Sequence, residues 1–98
     1  MVLELAHVTV LPGHEAEFEA ALAEAATTLL PQAAGFGGFT AHGWCVERPS
    51  VFLFTITWRS IDDHLVGFRD SELFVRWRAL IGHHFDGPPV VEHFARTD

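Results

Sequence analysis

The stretch VFLFTITWRSIDDHLVGFRDSELFVRWRAL, residues 51–80, decides the fold because its apolar pattern changes partway along. Its first eight residues are nearly all β-branched or aromatic and do not alternate with polar ones, which predicts a strand covered on both faces. From Ser60 onward the apolar residues follow helical spacing. A chain this short supplies helices for only one face of that strand, so the pattern also indicates a second subunit.

The flanking residues predict a β-α-β-β-α-β order of elements. Pro12-Gly13 ends a first strand, and Ser60 with Asp63 three residues later forms a shortened capping box. This order is the split βαβ, or ferredoxin-like, arrangement: an α+β fold with a four-stranded antiparallel sheet and helices on one face, here as one domain over residues 1–98. The predicted strands are Val2–Leu11, Gly37–Glu47, Val51–Arg59 and Val90–Arg96, and the predicted helices are His14–Leu30, Ser60–Phe68 and one from Asp70 or Ser71 to Gly82.

Helices on one face leave the other sheet face bare. Strand alternation places Leu5 and Leu53 on that face, and a soluble monomer rarely exposes so large an apolar surface. We therefore expect a homodimer in which two sheets pack face to face. His7 and His93 are predicted to project toward the same interface, with a structural, pH-sensitive role there.

Composition excludes several classes of partner. The net charge is -7, with 13 acidic residues against six arginines, so a nucleic-acid partner is not expected. No apolar run has the length of a membrane span, and the N-terminus lacks the basic lead of a signal peptide. The single cysteine, Cys45, is typical of a reducing compartment, so a cytoplasmic location is predicted.

Five short motifs occur in an order that is informative when taken together. The motifs are VTVLPG at 8–13, GF at 35–36, WRS at 58–60, FRDSxxF at 68–74 and VEHF at 91–94. With these motifs the chain resembles the antibiotic biosynthesis monooxygenase family, the dimeric α+β barrel proteins, over nearly its whole length. In that family some members oxidise aromatic phenols or quinols with dioxygen and no cofactor, while others degrade haem.

The resemblance separates these two branches at particular positions. The haem branch has Asn, Trp and His where this chain has Ala6, Phe68 and Arg78, so haem degradation is not expected. The cofactor-free branch has a Trp that is kept as Trp58, a Tyr replaced by His64, and an Asn replaced by Phe54. The resemblance thus implies an oxygenase without a cofactor, acting on a small aromatic or apolar ligand.

The predicted catalytic residues are His64 and Trp58. An imidazole titrates near neutral pH and suits a general base, and an indole N–H can hold a substrate oxygen. The alternatives are a surface histidine following Asp62-Asp63, and a core tryptophan whose N–H binds backbone. The predicted substrate-binding residues are Phe54, Phe68, Trp77 and Arg78, where Arg78 is alternatively an exposed helix arginine.

No metal site is predicted. His83-His84, His64 and His93 lack the HxH or HxxxH spacing of known ligand sets. Two functions remain open from the sequence: a cofactor-independent oxygenase acting on a quinol-like or polycyclic aromatic substrate, and a non-catalytic module that binds a small apolar ligand in the same pocket.

Overall fold

A computed structural model describes residues 1–97 and contains four strands, β1 Val2–Thr9, β2 Phe36–Trp44, β3 Val51–Trp58 and β4 Val90–Ala95. They form one antiparallel sheet with the order β2-β3-β1-β4. The two central strands, β1 and β3, are the most buried, because each has a neighbouring strand on both edges. The predicted ferredoxin-like α+β architecture is confirmed.

The helices lie on one face of this sheet, and two of them depart from α-helical hydrogen bonding. Helix α1 (Glu15–Glu24) continues as a π-helical turn, Ala25–Leu29, which is followed by a 3₁₀ turn, Leu30–Gln32, that contains Pro31. The short helix predicted before α2 is also a π-helical turn, Asp63–Phe68. Helix α2 (Glu72–Ile81) then leads into a 3₁₀ turn that ends at His84. The helix positions are therefore confirmed, but their types are mixed.

The core lies between the helices and the even-numbered residues of the central strands. Ala6 and Val8 of β1 are buried there, as are Phe52, Phe54 and Trp58 of β3. Directly paired residues of antiparallel strands point to the same face, and the register Ala6 with Phe54 and Val8 with Phe52 joins the two rows. The odd-numbered residues consequently form the opposite, open face.

The open face carries the apolar residues that were predicted for a subunit interface. Leu53 is 38% exposed and Phe94 of β4 is 46% exposed, although both lie on a sheet strand. Leu5 and His7 are half-buried on the same face, because they pair with Thr55 and Leu53. The predicted orientation of Leu5, Leu53 and His7 is confirmed, and the dimer itself remains a prediction.

The predicted orientation of His93 is wrong. His93 pairs directly with Glu4 of β1, which is buried on the helix-covered face. The strand β4 begins so that Val91 and His93 face the helices, while Val90, Glu92 and Phe94 face outward. The sequence could not fix this register because β4 follows a loop rather than a tight turn.

A local network fixes the start of the π-helical turn that follows β3. The backbone N–H of Asp63 donates to the hydroxyl of Ser60 at 3.1 Å, and that hydroxyl donates to the Asp63 carboxylate at 3.0 Å. Arg59 adds two hydrogen bonds to the same carboxylate. Gly35 has a positive φ of 82°, and a Cβ there would overlap the Asp63 side chain. The predicted Ser60 cap is thus confirmed and held by residues from two loops.

Within residues 1–97, no helix combines the length and the apolar character needed to cross a membrane.

Candidate active site

A cavity of about 390 Å³ lies between the helix-covered sheet face and the segment that runs from the π-helical turn to β4. Its walls come from β1, β3, the turn Asp63–Phe68, helix α2 and the start of β4. Most of the lining side chains are apolar, and this volume lies within the range of small-molecule pockets. The cavity is therefore large enough for a small aromatic molecule.

A chain of three polar side chains runs from the cavity into the edge of the sheet. Oε1 of Glu4 lies 3.4 Å from Nε2 of His64, and Nδ1 of His64 lies 2.7 Å from Nε2 of His93. Glu4 and His64 line the cavity and are 5% and 3% exposed, while His93 is only half-buried. The two partners of His64 occupy different ring nitrogens, so the three side chains form a line with an inner end at Glu4 and an outer end at His93.

The fold brings these residues together from three distant parts of the chain. Glu4 and His93 are direct neighbours across β1 and β4, and His64 enters from the π-helical turn after β3. In this turn His64 and Phe68 both face the sheet and are buried. π-Helical turns are frequent at functional sites because they redirect side chains without breaking the helix. The local capping of Asp63 thus positions the next residue, His64.

Burial dominates the electrostatics of this chain. Burial, and to a smaller extent the charges of His93 and Arg69, lower the pKa of His64 to about 4, so His64 is neutral at pH 7. Burial also raises the pKa of Glu4, although the hydrogen bond from Trp58 and the charge of Arg69 partly offset this. The pKa of His93 is lowered by burial and then by Arg69. All three groups are shifted toward their neutral forms.

Trp58 contacts both Glu4 and His64 and holds them in place. It is fully buried, and its indole N–H donates to Oε1 of Glu4 at 2.8 Å. Its ring stacks on the His64 ring with a centroid distance of 5.0 Å. Trp58 does not line the cavity, so the prediction that its N–H contacts a substrate oxygen is wrong for this structure. The backbone alternative was also wrong, because the acceptor is a carboxylate.

The four residues predicted to bind substrate all line the cavity. Phe54 and Trp77 pack edge to face with their ring centroids 6.0 Å apart, and the ring centroids of Phe68 and Trp77 are 6.1 Å apart. Arg78 also lines the cavity, with its guanidinium 5.9 Å from the centre of the Phe74 ring, and it is an exposed helix residue, as the alternative predicted. Their location agrees with the prediction, and their part in binding remains a prediction.

Sequence reasoning missed Arg69 and Glu4. Arg69 lines the cavity, and neither it nor Arg78 forms a salt bridge within residues 1–97. Both guanidinium groups belong to exposed residues and share the cavity lining with Glu4, whose raised pKa favours its neutral form. A signal for Glu4 was present, since a lone acid stands on the same strand face as the apolar residues Ala6 and Val8.

This structure belongs to the class of small α+β proteins that have a ferredoxin-like sheet and a cavity between the sheet and its helices. Residues 1–80 match the model of the antibiotic biosynthesis monooxygenase family. The chain belongs to this family, as its sequence motifs predicted.

Individual relatives support this assignment over the full length. The chain is 35% identical over 96 residues to the uncharacterized protein YczJ of Bacillus subtilis, covering 96% of this chain and 97% of that protein. A crystal structure from Bordetella bronchiseptica that carries the family's name is 38% identical, with a TM-score of 0.91 over 98% of this chain and 96% of that one. A variant of SnoaB, a cofactor-independent oxygenase from Streptomyces nogalater, has a TM-score of 0.78 over 99% and 93% of the chains. At 18% identity, that last likeness concerns the fold alone.

Proposed function

We propose that this protein is a cytoplasmic, cofactor-independent oxygenase that oxidises a quinol-like or polycyclic aromatic substrate with dioxygen. The observation that carries the proposal is the line Glu4–His64–His93, whose two buried members, Glu4 and His64, line the cavity. Burying an acid and an imidazole costs stability, and such groups in a cleft are enriched at functional sites. A module that only binds an apolar ligand has no use for a proton path.

The cavity supplies the binding step. An aromatic substrate packs against Phe54, Phe68 and Trp77, which form a continuous aromatic wall. Arg69 and Arg78 sit on the same lining and place positive charge where a phenolate or enolate oxygen develops. The substrate is thereby oriented with its acidic group toward the charged part of the cavity.

His64 then removes the substrate proton. We assign the accepting atom as Nε2, because Nδ1 is engaged with His93 at the shorter distance of 2.7 Å. A pKa near 4 would make an isolated imidazole a weak base. The line offsets this weakness by acting as a relay, since the Nδ1 proton passes to His93 and the positive charge moves toward solvent.

The deprotonated substrate reduces dioxygen directly. One electron passes to dioxygen, the resulting radicals combine, and the peroxide formed at carbon loses water. For an anthrone-type substrate the balance is one CH₂ group and one O₂ giving one C=O group and one H₂O. The protein contributes orientation, the base and stabilisation of the oxyanion.

The direct test is oxygen uptake with a panel of anthrone- and quinol-type substrates. We expect wild type to exceed the uncatalysed rate, and His64→Ala and Trp58→Phe to fall well below wild type. His83→Gln is the matched control, because His83 is exposed and lies outside the cavity. A wild-type rate equal to background would instead favour a binding module, which the replacement of the branch's Asn by Phe54 supports.

We also propose that a second copy of the chain covers the open face. Leu53 and Phe94 remain exposed on this face, and face-to-face packing of two sheets would bury them. Light scattering should give about twice the chain mass of 10.9 kDa. Leu53→Glu should shift the protein toward monomer, whereas Val75→Glu, on an exposed helix position, should not.

A further inference from the structure

A second cluster of ligating side chains lies outside the proposed active site. It consists of His14, Glu17 and His84, and one ligand atom from each lies within 4.8 Å of the other two. Nδ1 of His14 is 3.1 Å from Nδ1 of His84. His84 is buried, His14 is half-buried and Glu17 is exposed, so the cluster opens to solvent on the Glu17 side.

The backbone holds these residues in place without help from a ligand. His14 precedes α1, and Glu17 is three residues further on, so both side chains lie on one side of the first helical turn. The N–H of His14 donates to the carbonyl of Leu11 at 3.0 Å, and the N–H of Leu11 donates to the carbonyl of His84 at 2.9 Å. Leu11 therefore connects the two histidines through two short hydrogen bonds.

We propose that His14, Glu17 and His84 form a binding site for one divalent transition-metal ion such as Zn²⁺, with a fourth position open to water. Two imidazoles and one carboxylate form a recognised zinc ligand set. Two nitrogens at about 2.0–2.1 Å from a tetrahedral zinc ion are roughly 3.3 Å apart, so the observed nitrogen pair needs only a small adjustment. The ion would replace the single proton that the two Nδ1 atoms now share.

The relay of the proposed active site does not offer an equivalent site. Glu4 approaches Nε2 of His64 and His93 approaches Nδ1, so their lone pairs do not converge on one point. The positive end of α1 opposes a cation near His14, and the carboxylates of Glu15 and Glu17 in the first turn offset it. Convergence of ligands thus distinguishes the two histidine clusters.

Metal binding would have a structural consequence for the cavity. The residue after His84 is Phe85, which lines the cavity and pairs with Val10 as an isolated β-bridge. An ion bound by His84 and by the two residues at the start of α1 would link these two segments, and it would therefore restrict the movement of Phe85 at this end of the cavity. The site is nevertheless independent of the proposed oxygenase reaction.

The test is a titration of tag-free protein with ZnCl₂ by calorimetry, with Co²⁺ absorbance reporting the ligand geometry. We expect one ion per chain with a dissociation constant in the micromolar range or below. His14→Gln and Glu17→Gln should each weaken binding by about tenfold or more, as expected when one ligand of three is lost. His83→Gln and His93→Gln should bind as wild type does.

Thermal unfolding gives a second readout. At one fixed Zn²⁺ concentration the melting temperature of wild type and of His83→Gln should rise, and that of His14→Gln should rise by less. The proposal is overturned if wild type binds no Zn²⁺ at about 100 µM, where even weak sites fill. Equal binding by wild type and a well-folded His14→Gln would also overturn it, and circular dichroism establishes that folding.

Discussion

The two histidine pairs of this protein differ in where their acid lies. In the pair His64–His93 the acid, Glu4, contacts the other ring nitrogen of His64, so the three groups form a line. In the pair His14–His84 the acid, Glu17, converges with both histidines on one region of space. A line of groups suits the passage of a proton, and a convergent set suits a cation. The arrangement of partners, more than residue type, distinguishes the two chemistries.

The largest expected effect comes from removing His64, the middle member of the line. His64→Ala should lower kcat/KM by about 100-fold or more, as general-base removal does. The outer end matters less: His93→Gln should cost about tenfold, because solvent can take over the last proton transfer. Oxygen uptake measures both, and added imidazole should restore part of the His93→Gln rate.

A rate for His93→Gln equal to that of wild type would show that the proton does not leave through His93. His83→Gln serves as the control for both variants, because it changes an exposed histidine outside the relay.

Acid stability gives the next largest effect. The folded-state pKa of His64, about 4, lies below its ordinary value of 6.5, so its contribution to stability is complete above pH 6.5 and lost as pH falls toward 4. The loss is at most about 3 kcal/mol. Glu4 acts in the opposite direction, because its raised pKa adds stability that fades as pH rises through the folded value.

Urea unfolding at pH 7 and pH 5 tests this expectation. Wild type should lose more stability between these values than His64→Gln, whatever the absolute stability of the variant. The lowered pKa values of His84 and His93 leave some acid sensitivity in both proteins. Identical pH slopes in the two proteins would show that His64 is not held in its neutral form.

Trp58→Phe sharpens the comparison because it removes the indole N–H that donates to Glu4 and keeps an aromatic ring. Glu4 would lose its buried hydrogen bond, which should cost about 1–3 kcal/mol. Since that bond lowers the pKa of Glu4, the variant should also raise this pKa further. Urea unfolding measures the first effect, and a carboxyl NMR titration measures the second. Trp44→Phe is the control, because Trp44 has no hydrogen bond to a carboxylate in the part of the chain described.

The smallest effect concerns the convergent cluster without metal. His14→Gln should change the free energy of unfolding by no more than about 1 kcal/mol, because it removes one hydrogen bond at a half-exposed position. Urea unfolding in the presence of a chelator measures this. A cost of several kcal/mol would mean that the histidine pair stabilises the fold by itself.

The fold was largely predictable from the sequence, because local patterns determine it. The switch from the apolar run of β3 to helical spacing at Ser60 fixed the order of elements, and the Ser60 cap is present as predicted. The resemblance indicated Phe54, Phe68 and Arg78, and helical spacing indicated Trp77; all four line the cavity.

The site was less predictable because its partners are distant in the sequence. His64 and Glu4 are 60 positions apart, and their contact depends on the register of β1 against β3 and β4. His93 was assigned to the wrong face because its strand follows a loop, and no tight turn fixes which of its residues face the helices. The convergence of His84 with His14 and Glu17 likewise depends on the packing of two helix ends, which spacing within the sequence does not reveal.

The π-helical turn Asp63–Phe68 allows the chemistry of the site to change in evolution while the fold stays the same. Such a turn holds one more residue than an α-helical turn. Deleting a single residue there, such as Gly67, would leave a regular helix and rotate the side chains on one side of the deletion by about 100° relative to the sheet. Descendants of one ancestral gene could thus keep the sheet and the aromatic residues of the cavity, yet gain or lose the base by one codon. A single insertion or deletion in this turn would then separate catalytic from non-catalytic relatives, in addition to substitutions such as those at Phe54 and His64.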